Sequence, residues 1–506
     1  MAYAHLMDRV GQMNDMLNAQ SVLYWDARVT MPEAGNETRG RQLSTLSLLA
    51  HQLLVSVDTQ RLLAKAESEV ASLADSSVEK SMVRKVREAV DYNVAIPAEL
   101  TRRRAELGSK GHFIWAKARA ESDFSQFAPL LEEIVALNQE MAEAIGYEEH
   151  PYDALLYRYD PGERVSSLKP LFGRLREGIS PLVNAIAQKE PPRVNFLERD
   201  FPIDKQRELS LILARSIGYD FKRGRLDTTL HPFEISFTRN DVRITTRYNQ
   251  NYLPTSVFGT IHEVGHALYE QGVDPAFTRT PFATDLVGLY AVGGVSYGAH
   301  ESQSRLWENF VGRSRQFWDV HFACAQEIFP AQLADVSAED FWRAVNRVYP
   351  GPVRTNADEL TYDFHIMLRT ELEADLIDGS LRVRDLPEAW NAKVKEYLGV
   401  EVPNDSVGLL QDAHWSAGHM GNFANYSIGN VMAAQLFEVA GKDEALRTDL
   451  AKGRYDRLHG FLAENIHRHG RRYDRDELLM RATGRKLDPE PYIAYLNAKY
   501  AELYGL

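Results

Sequence analysis

Two histidines and a glutamate stand close together near the middle of the chain, in the sequence His262-Glu263-Val264-Gly265-His266. Histidines four residues apart lie on one face of a helix, so both imidazoles can reach a single metal ion. The side chain of Glu263 points about 100° away from that of His262, which lets it face the open position of the ion. The spacing therefore predicts a hydrolytic metal site in which Glu263 takes a proton from water and passes it to a leaving amine.

A third metal ligand has to come from further along the chain. A third histidine at the metzincin spacing would fall at position 272, which is Gly272, so that class of zinc enzyme is excluded. We predict Glu301 as the ligand, because two histidines and one glutamate are a usual set for catalytic zinc. Glu270 is the alternative, but it follows His266 by one turn and is better placed to support a ligand. His300 is expected to be a structural residue or a support for the ligands.

The surrounding sequence predicts helices, which have to position these residues. Apolar residues alternate with polar ones in 233–237 and 241–248, which predicts two short strands just before the histidine motif. The motif helix is expected to begin near the capping candidates Thr255 and Ser256, and Glu301 is expected to open a further helical segment over 302–311. Before the strands, one helix is indicated by a stripe of leucines: Leu43, Leu46, Leu48, Leu49, Leu53 and Leu54.

The fold class that follows is mainly α, with one small sheet. A chain of 506 residues exceeds the size at which a single core stops growing, so we expect subdomains within the one domain 1–506. The predicted division is a helical wall or lid over 1–220 and a catalytic part over 221–506, which carries the sheet and the zinc helix.

Composition excludes several other classes of protein. There are 58 Lys and Arg against 71 Asp and Glu, a formal charge of −13, which argues against nucleic acid or an anionic membrane as partner. The single cysteine, Cys324, excludes an internal disulfide framework and any Cys-rich zinc module, and it favours a reducing, cytoplasmic location. We see no signal peptide, and the weakly polar stretch 286–299 is too short to span a bilayer.

Several further motifs follow one another along the chain, namely Tyr24-Trp25-Asp26, Met31-Pro32, His231-Pro232-Phe233, Asp241-Val-Arg243-Ile-Thr245, His300-Glu301-Ser-Gln-Ser-Arg305, Ala357-Asp358-Glu359-Leu-Thr-Tyr362 and Gln411-Asp412-Ala-His414-Trp415. With them, nearly the whole chain resembles the metallocarboxypeptidases of the carboxypeptidase Taq type, the M32 family. The resemblance implies a large helical zinc-peptidase (gluzincin-like) fold whose sheet lies beside the active-site cleft. It also implies that His262, His266 and Glu301 bind zinc, that Glu263 is the catalytic base, and that the protein is a homodimer.

The predicted activity is release of single C-terminal amino acids from peptides that have a free C-terminal carboxylate. It requires one Zn²⁺ per chain, with Co²⁺ as a possible substitute, because imidazole and carboxylate ligands accept several divalent ions. An oligoendopeptidase or dipeptidyl carboxypeptidase on a similar helical scaffold is the nearest alternative. A helical binding protein with structural zinc is disfavoured, since structural sites usually have four Cys or His ligands.

A carboxypeptidase needs cationic groups for the terminal carboxylate of its substrate, and arginine presents several charge-assisted donors. Arg243 is a candidate because strand alternation places it opposite Val242 and Ile244. Arg354 is a second candidate, on a loop after Gly351 and Pro352. The alternative for both arginines is a surface ion pair with a nearby aspartate.

Three further residues are candidates for contacts with the substrate, including stabilisation of the oxyanion by a hydroxyl or imidazole: His231, His414 and Tyr426. The first departure from the family is Gly421-Asn-Phe423-Ala-Asn-Tyr426, which stands where many members have Phe-Pro before the tyrosine. A second departure is the segment 272–299, which is longer than is common in the family and could reshape a cleft wall or an intersubunit contact.

Overall fold

The structure is a computed structural model, and it describes residues 1–291 and 293–506. Val292, which belongs to the long segment before Glu301, lies outside the described residues. The first part of the chain is helical, as predicted. Its α-helices are α1 Ala2–Val29, α2 Asn36–Val55, α3 Val57–Val70, α4 Val78–Ala95, α5 Ala98–Glu121, α6 Ala128–Ile145, α7 Pro151–Leu156, α8 Val165–Ile186 and α9 Ile203–Ser216.

The leucine stripe of α2 is narrower than the sequence suggests. The helix buries Ala50 and Leu54, which lie one turn apart, whereas Leu48 and Leu49 are 53% and 45% exposed. The buried line faces α1 and α3, against which α2 packs. Leucines that point away from this line remain in contact with solvent, because a surface helix buries only one stripe.

A three-stranded sheet follows these helices, with strands β1 Leu226–Thr228, β2 Glu234–Thr238 and β3 Asp241–Thr246 in the order β1-β3-β2. The predicted strands β2 and β3 pair antiparallel. The short strand β1, which pairs parallel with β3, was not predicted. Val242 and Ile244 of β3 are buried, and β2 and β3 pack against the helix that carries the histidine motif.

The rest of the chain is again helical, which confirms a mainly α protein with one small sheet. A π-helical turn, Leu306–Gly312, follows α11 directly. The α-helices are α10 Pro254–Gly272, α11 Tyr297–Arg305, α12 Arg315–Ile328, α13 Ala338–Val345, α14 Tyr362–Ile377, α15 Leu386–Leu398, α16 Ala424–Ala440, α17 Glu444–Leu450, α18 Asp456–Asn465, α19 Arg475–Thr483 and α20 Glu490–Tyr504. Short 3₁₀ turns lie at Glu33–Gly35, Phe124–Gln126, Asn195–Glu198, Pro275–Phe277, Arg354–Asn356, Val383–Asp385, Trp415–Ala417 and His467–His469.

The motif helix begins where it was predicted, near Thr255, but Ser256 does not cap it, and the predicted start of α11 was wrong by several residues. Helix α10 begins with Pro254, whose fixed φ and missing N–H suit the first helical position. Ser256 lies inside the helix, where its hydroxyl donates to Gln206 Oε1 at 2.7 Å. Helix α11 is capped by Ser296, whose hydroxyl accepts from the Ala299 N–H, so Glu301 lies within the helix and does not open it.

The chain forms two compact units, both of them discontinuous in sequence. Unit 1 comprises Met1–Asn93, Pro192–Val345 and Gly429–Leu487, and unit 2 comprises Val94–Pro191, Asn346–Ile428 and Asp488–Leu506. These units differ from the sequential division near residue 220, so the assignment of a helical wall and a catalytic part stays a prediction. The sheet, α10 and α11 all belong to unit 1.

The long segment between α10 and α11 packs within unit 1. The side chain of Asn14 in α1 donates to Thr284 Oγ1 and to the Ala291 carbonyl, both at 2.8 Å. Leu286 is buried in a hydrophobic cluster with residues of α1, α3 and α4. These contacts attach the segment to the first helices of unit 1.

Candidate metal centre

Helices α10 and α11 bring together the three predicted metal ligands. His262, His266 and Glu301 each offer a ligand atom, and these atoms lie within 4.8 Å of one another. Glu301 Oε2 is 3.3 Å from His266 Nε2 and 3.8 Å from His262 Nε2. Ligand atoms about 2.0–2.2 Å from a tetrahedral ion are separated by about 3.3–3.6 Å, so this donor set fits a divalent metal.

The close approach of the two helices depends on a glycine inside the histidine motif. A Cβ atom at Gly265 would lie 2.6 Å from the carbonyl oxygen of Gln303 and 2.6 Å from Ser304 Cα. On another side of the site, a Cβ at Gly429 of α16 would lie 2.8 Å from Glu301 Cγ. Both glycines therefore allow backbone to pack directly beside Glu301, the predicted third ligand.

The ring of His262 is oriented by the carboxylate of Glu308, which was not predicted from the sequence. Glu308 lies in the π-helical turn, and its Oε2 is 2.9 Å from His262 Nδ1. Arg313 donates to the other oxygen of Glu308 at 2.9 Å. Because Nδ1 is occupied by this hydrogen bond, Nε2 of His262 is left for the metal. The π-turn that delivers Glu308 has no simple sequence pattern, although such turns are frequent at functional sites.

The ring of His266 is held by a longer chain of side chains. Its Nδ1 lies 2.6 Å from His300 Nδ1, and His300 Nε2 lies 2.8 Å from Glu270 Oε1. The alternative ligand Glu270 is thus engaged by His300, and among the described residues the candidate metal group contains only the two motif histidines and Glu301. A carboxylate behind an imidazole fixes the tautomer and the orientation of the ring.

Glu263 follows His262 directly and lies beside the three predicted ligands. Its side chain is buried, 6% exposed, and makes no hydrogen bond or ion pair with any residue in the described part of the chain. Burial raises its pKa to about 7, against the opposing effect of His262. A buried carboxylate that is not committed to another protein group is available to a water molecule or a substrate.

The surroundings of the site favour an ionised Glu301 and a neutral His266. Burial alone would raise the pKa of Glu301, but Arg305, which donates to Glu301 Oε1 at 2.7 Å, and His262 hold it well below its usual range. Burial and the neighbouring histidines lower the pKa of His266 to about 3. These are the protonation states in which both side chains bind metal.

Two of the predicted substrate-binding residues lie in unit 1. Arg243 of β3 donates from Nε and Nη2 to the two oxygens of Asp241, both at 2.8 Å. Its guanidinium also stacks over the rings of Trp25 and Phe237. The structure thus contains the ion pair that was the alternative to a substrate contact. His231 is exposed, between β1 and β2.

The other three predicted substrate-binding residues lie in unit 2. Arg354 Nη2 pairs with Asp412 Oδ1 at 2.7 Å, and the fully buried Arg369 pairs with Asp412 Oδ2 at 2.7 Å. His414 Nε2 lies 3.4 Å from the hydroxyl of Tyr426. Burial would raise the pKa of Asp412, but the two arginines hold it far below its usual range. Arg369 was not predicted, because nothing in its local sequence separates it from an ordinary helix residue.

Comparison with known proteins shows the family of the chain. A model of the carboxypeptidase Taq (M32) metallopeptidase family matches residues 5–500. The chain belongs to the M32 family. The resemblance inferred from the motifs is therefore confirmed.

Individual M32 proteins are similar over their full lengths. Thermostable carboxypeptidase 1 of Thermus thermophilus is 40% identical over 519 residues, which cover 100% of this chain and 99% of that one. Carboxypeptidase 1 of Bacillus subtilis is 38% identical over 504 residues, covering 99% and 98% of the two chains. The crystal structure of an M32 carboxypeptidase from Deinococcus radiodurans matches with a TM-score of 0.95 and 40% identity, over 100% of both chains.

This M32 protein is a metallocarboxypeptidase, and as such a hydrolase that acts on peptides. Its family implies a metal ion, for which His262, His266 and Glu301 form the candidate site. Among the helices that the structure describes, none is long and apolar enough to cross a membrane.

Proposed function

We propose that this M32 metallocarboxypeptidase is zinc-dependent, binds one ion per chain through His262, His266 and Glu301, and releases single amino acids from the C-termini of peptides. The convergence of two imidazole nitrogens and one carboxylate oxygen carries the proposal, because this is a ligand set of catalytic zinc that leaves a coordination position open. Cobalt is the expected substitute, since the same ligands accept it.

In the proposed mechanism the metal, when bound, supplies Lewis acidity that activates water and polarises the scissile carbonyl. Glu263 accepts a proton from the attacking water and delivers it to the departing amino group. Its lack of hydrogen bonds to other described residues supports this role, because the base must exchange partners during the reaction. Glu308 and the His300–Glu270 pair keep the two imidazoles in place.

Recognition of the terminal carboxylate is proposed for Arg243 and Arg354, each within its own unit. Both guanidiniums are already oriented, Arg243 by Asp241 and Arg354 by Asp412, which reduces the entropy lost on binding a carboxylate. We expect Arg243→Met or Arg354→Met to raise KM for peptides with a free C-terminus. If neither substitution changes KM by more than about twofold, below the usual effect of a charge-assisted hydrogen bond, the carboxylate is bound elsewhere.

His231, His414 and Tyr426 are proposed to contact the substrate or to stabilise the oxyanion. Removal of one oxyanion donor typically lowers kcat by about 10²–10³-fold, so Tyr426→Phe and His414→Gln test this role directly. His231→Gln is expected to change KM more than kcat. A residue whose substitution leaves both constants unchanged has no contact with the substrate.

The decisive experiment is a peptide ladder followed by mass spectrometry. Single-residue release gives a series of products that each lose one C-terminal residue, whereas a dipeptidyl carboxypeptidase removes two at a time. The C-terminally amidated peptide should resist cleavage, and internal cuts in it would favour an oligoendopeptidase. Removal of metal with a chelator should stop the reaction, and addition of Zn²⁺, then Co²⁺ in a parallel sample, should restore it.

Two substitutions separate the base from the ligand. Glu263→Gln should retain the metal and lose most of the hydrolysis, while Glu301→Ala should lose the metal itself. If Glu263→Gln retains activity, another group is the base. If Glu301→Ala keeps its metal after dialysis, another carboxylate is the ligand.

We further propose a homodimer in a reducing, cytoplasmic compartment. The resemblance to the family supports the dimer, and the single cysteine, Cys324, supports the compartment. Sedimentation equilibrium of the full chain and fractionation of the source cells test the two statements separately.

A further inference from the structure

Unit 2 contains a small cavity between three helices, α8, α14 and α15, which is open to solvent on one side. Its volume is about 220 Å³. Val165, Leu168 and Phe172 form an apolar floor: they are spaced three and four residues apart on one face of α8, and all are buried. A cavity of this size suits one small molecule and not a peptide.

Four charged side chains complete the lining. Two of them neutralise each other, because the Lys393 ammonium pairs with Glu371. The same carboxylate accepts the Tyr397 hydroxyl, at 2.9 and 2.7 Å to its two oxygens. Glu371 and Lys393 are thus already engaged by the protein and are not the groups that would select a ligand.

The other two charged side chains are the half-buried Asp375 of α14 and Lys169 of α8, which is exposed at the mouth of the cavity. Within the described part of the chain, neither side chain makes a hydrogen bond or an ion pair. Asp375 is partly buried, and burial raises the pKa of its carboxyl group, with nearby Lys393 and Lys169 opposing the rise. A partly buried carboxylate that lacks a donor is stabilised by a ligand that brings one.

We propose that this cavity binds one free α-amino acid with an apolar side chain of about the size of leucine. Asp375 receives the α-ammonium group, Lys169 receives the α-carboxylate, and the side chain lies on the floor of Val165, Leu168 and Phe172. A fatty acid would leave Asp375 unpaired, and an alkylamine would leave Lys169 unpaired, so the zwitterion matches both charges. The binding is inferred from the cavity alone. The further link, that the ligand belongs to the products of C-terminal hydrolysis, rests on the proposed function.

Isothermal titration of the full-length protein with L-leucine tests the proposal. So small a ligand is expected to bind with a Kd of about 1 mM or tighter, in a saturable isotherm. Three analogues each remove one contact: 4-methylpentanoate lacks the ammonium group, 3-methylbutylamine lacks the carboxylate, and glycine lacks the apolar side chain. Each should bind about tenfold more weakly or worse, since a hydrogen bond to a charged group is commonly worth at least that factor.

Matched variants locate the binding. Asp375→Asn keeps the shape of the side chain and should weaken leucine binding about tenfold, to the level of 4-methylpentanoate. Ala374→Leu fills the cavity and should abolish binding. Glu388→Gln is the control, since this exposed carboxylate of α15 does not line the cavity. Circular dichroism shows whether each variant is folded, and either of the first two suffices if the other does not fold.

The active site is a second place where an amino acid could bind, through the arginines proposed for the terminal carboxylate. Leucine binding that survives in the double variant Arg243→Met/Arg354→Met and is lost in Asp375→Asn supports the proposal. Binding that survives both Asp375→Asn and Ala374→Leu, or no saturation at all in the wild type, overturns it. Because this assay involves no hydrolysis, failure of the ladder assay would refute the proposed function without changing the titration result.

Discussion

Gly265 lies between the two motif histidines, and a side chain there would collide with α11. The Cβ atom of Gly265→Ala would lie 2.6 Å from the Gln303 carbonyl oxygen and from Ser304 Cα, whereas ordinary contact begins at 3.4 Å, so the two helices must separate by about 3.4 − 2.6 = 0.8 Å. The contacted atoms belong to the backbone, so α11 has to move as a whole and carry Glu301 with it. Metal sites tolerate about 0.2 Å in ligand distance, so metal affinity should fall about tenfold or more.

Stability should fall together with metal affinity. Overpacking lowers the free energy of unfolding by about 1–3 kcal/mol, and the better helix propensity of alanine raises it by about 1 kcal/mol. Gly259→Ala is the matched control: it lies in the same helix, and its Cβ would have no neighbour closer than 3.5 Å. Helix propensity alone should raise the free energy of unfolding of Gly259→Ala by about 0.5–1 kcal/mol. Without metal, Gly265→Ala should therefore be about 1–3 kcal/mol less stable than Gly259→Ala, which is the effect of overpacking alone.

The assays are urea unfolding of the metal-free proteins and competition with a chromophoric chelator for the metal. Wild type, Gly259→Ala and Gly265→Ala are compared under the same conditions. If Gly265→Ala equals Gly259→Ala in stability and binds metal within twofold of wild type, the close approach of α10 and α11 does not position the ligands.

Three further predictions concern other parts of the molecule. Glu308→Gln should lower metal affinity about 10–100-fold in the chelator assay, because His262 loses its charged partner, and an unchanged affinity would contradict that role. Asp412→Asn should destabilise the protein by about 3–5 kcal/mol at pH 7, because Arg369 is left buried without its counter-ion. The pKa of Asp412 in the folded protein lies below its value of about 3.9 in the unfolded chain. The stabilisation by Asp412 is therefore present above about pH 3.9 and is lost as the pH falls. In urea unfolding, the free energies of wild type and Asp412→Asn should differ less at about pH 3.5 than at pH 7. Removal of the metal should lower the unfolding temperature, and the shift should grow with the logarithm of free metal concentration; a shift independent of metal concentration would exclude linkage to binding.

Much of the fold is predictable because it depends on local pattern. The alternation in β2 and β3 and the helical spacing of His262 and His266 are properties of short stretches of sequence. Strand β1 has only three residues, too few to show alternation, and it exists because Leu226 pairs with Ile244 of β3. Such pairing depends on tertiary contacts that no local pattern contains.

The residues of the candidate site also fall into those that local sequence predicts and those that depend on tertiary structure. The spacing of the histidine motif and the Glu301 motif predict ligands that the structure brings together. Glu308 could not be predicted, because its position against His262 depends on the π-helical turn after α11. Nor does the motif distinguish Gly265 from any small residue, since its importance lies in the distance to Gln303. The substrate roles of Arg243 and Arg354 stay predictions.

The discontinuity of unit 1 has a consequence for how the protein is made. Its last segment, Gly429–Leu487, supplies Gly429, which packs on Glu301. During translation this segment is synthesised only after the ligands and after the 83 residues from 346 to 428 that belong to unit 2. Unit 1 therefore cannot be completed until residue 487 has been synthesised. A truncated chain that contains His262, His266 and Glu301 but ends before α16 should fail to form a stable metal site, so the enzyme is inactive until this late segment has joined unit 1.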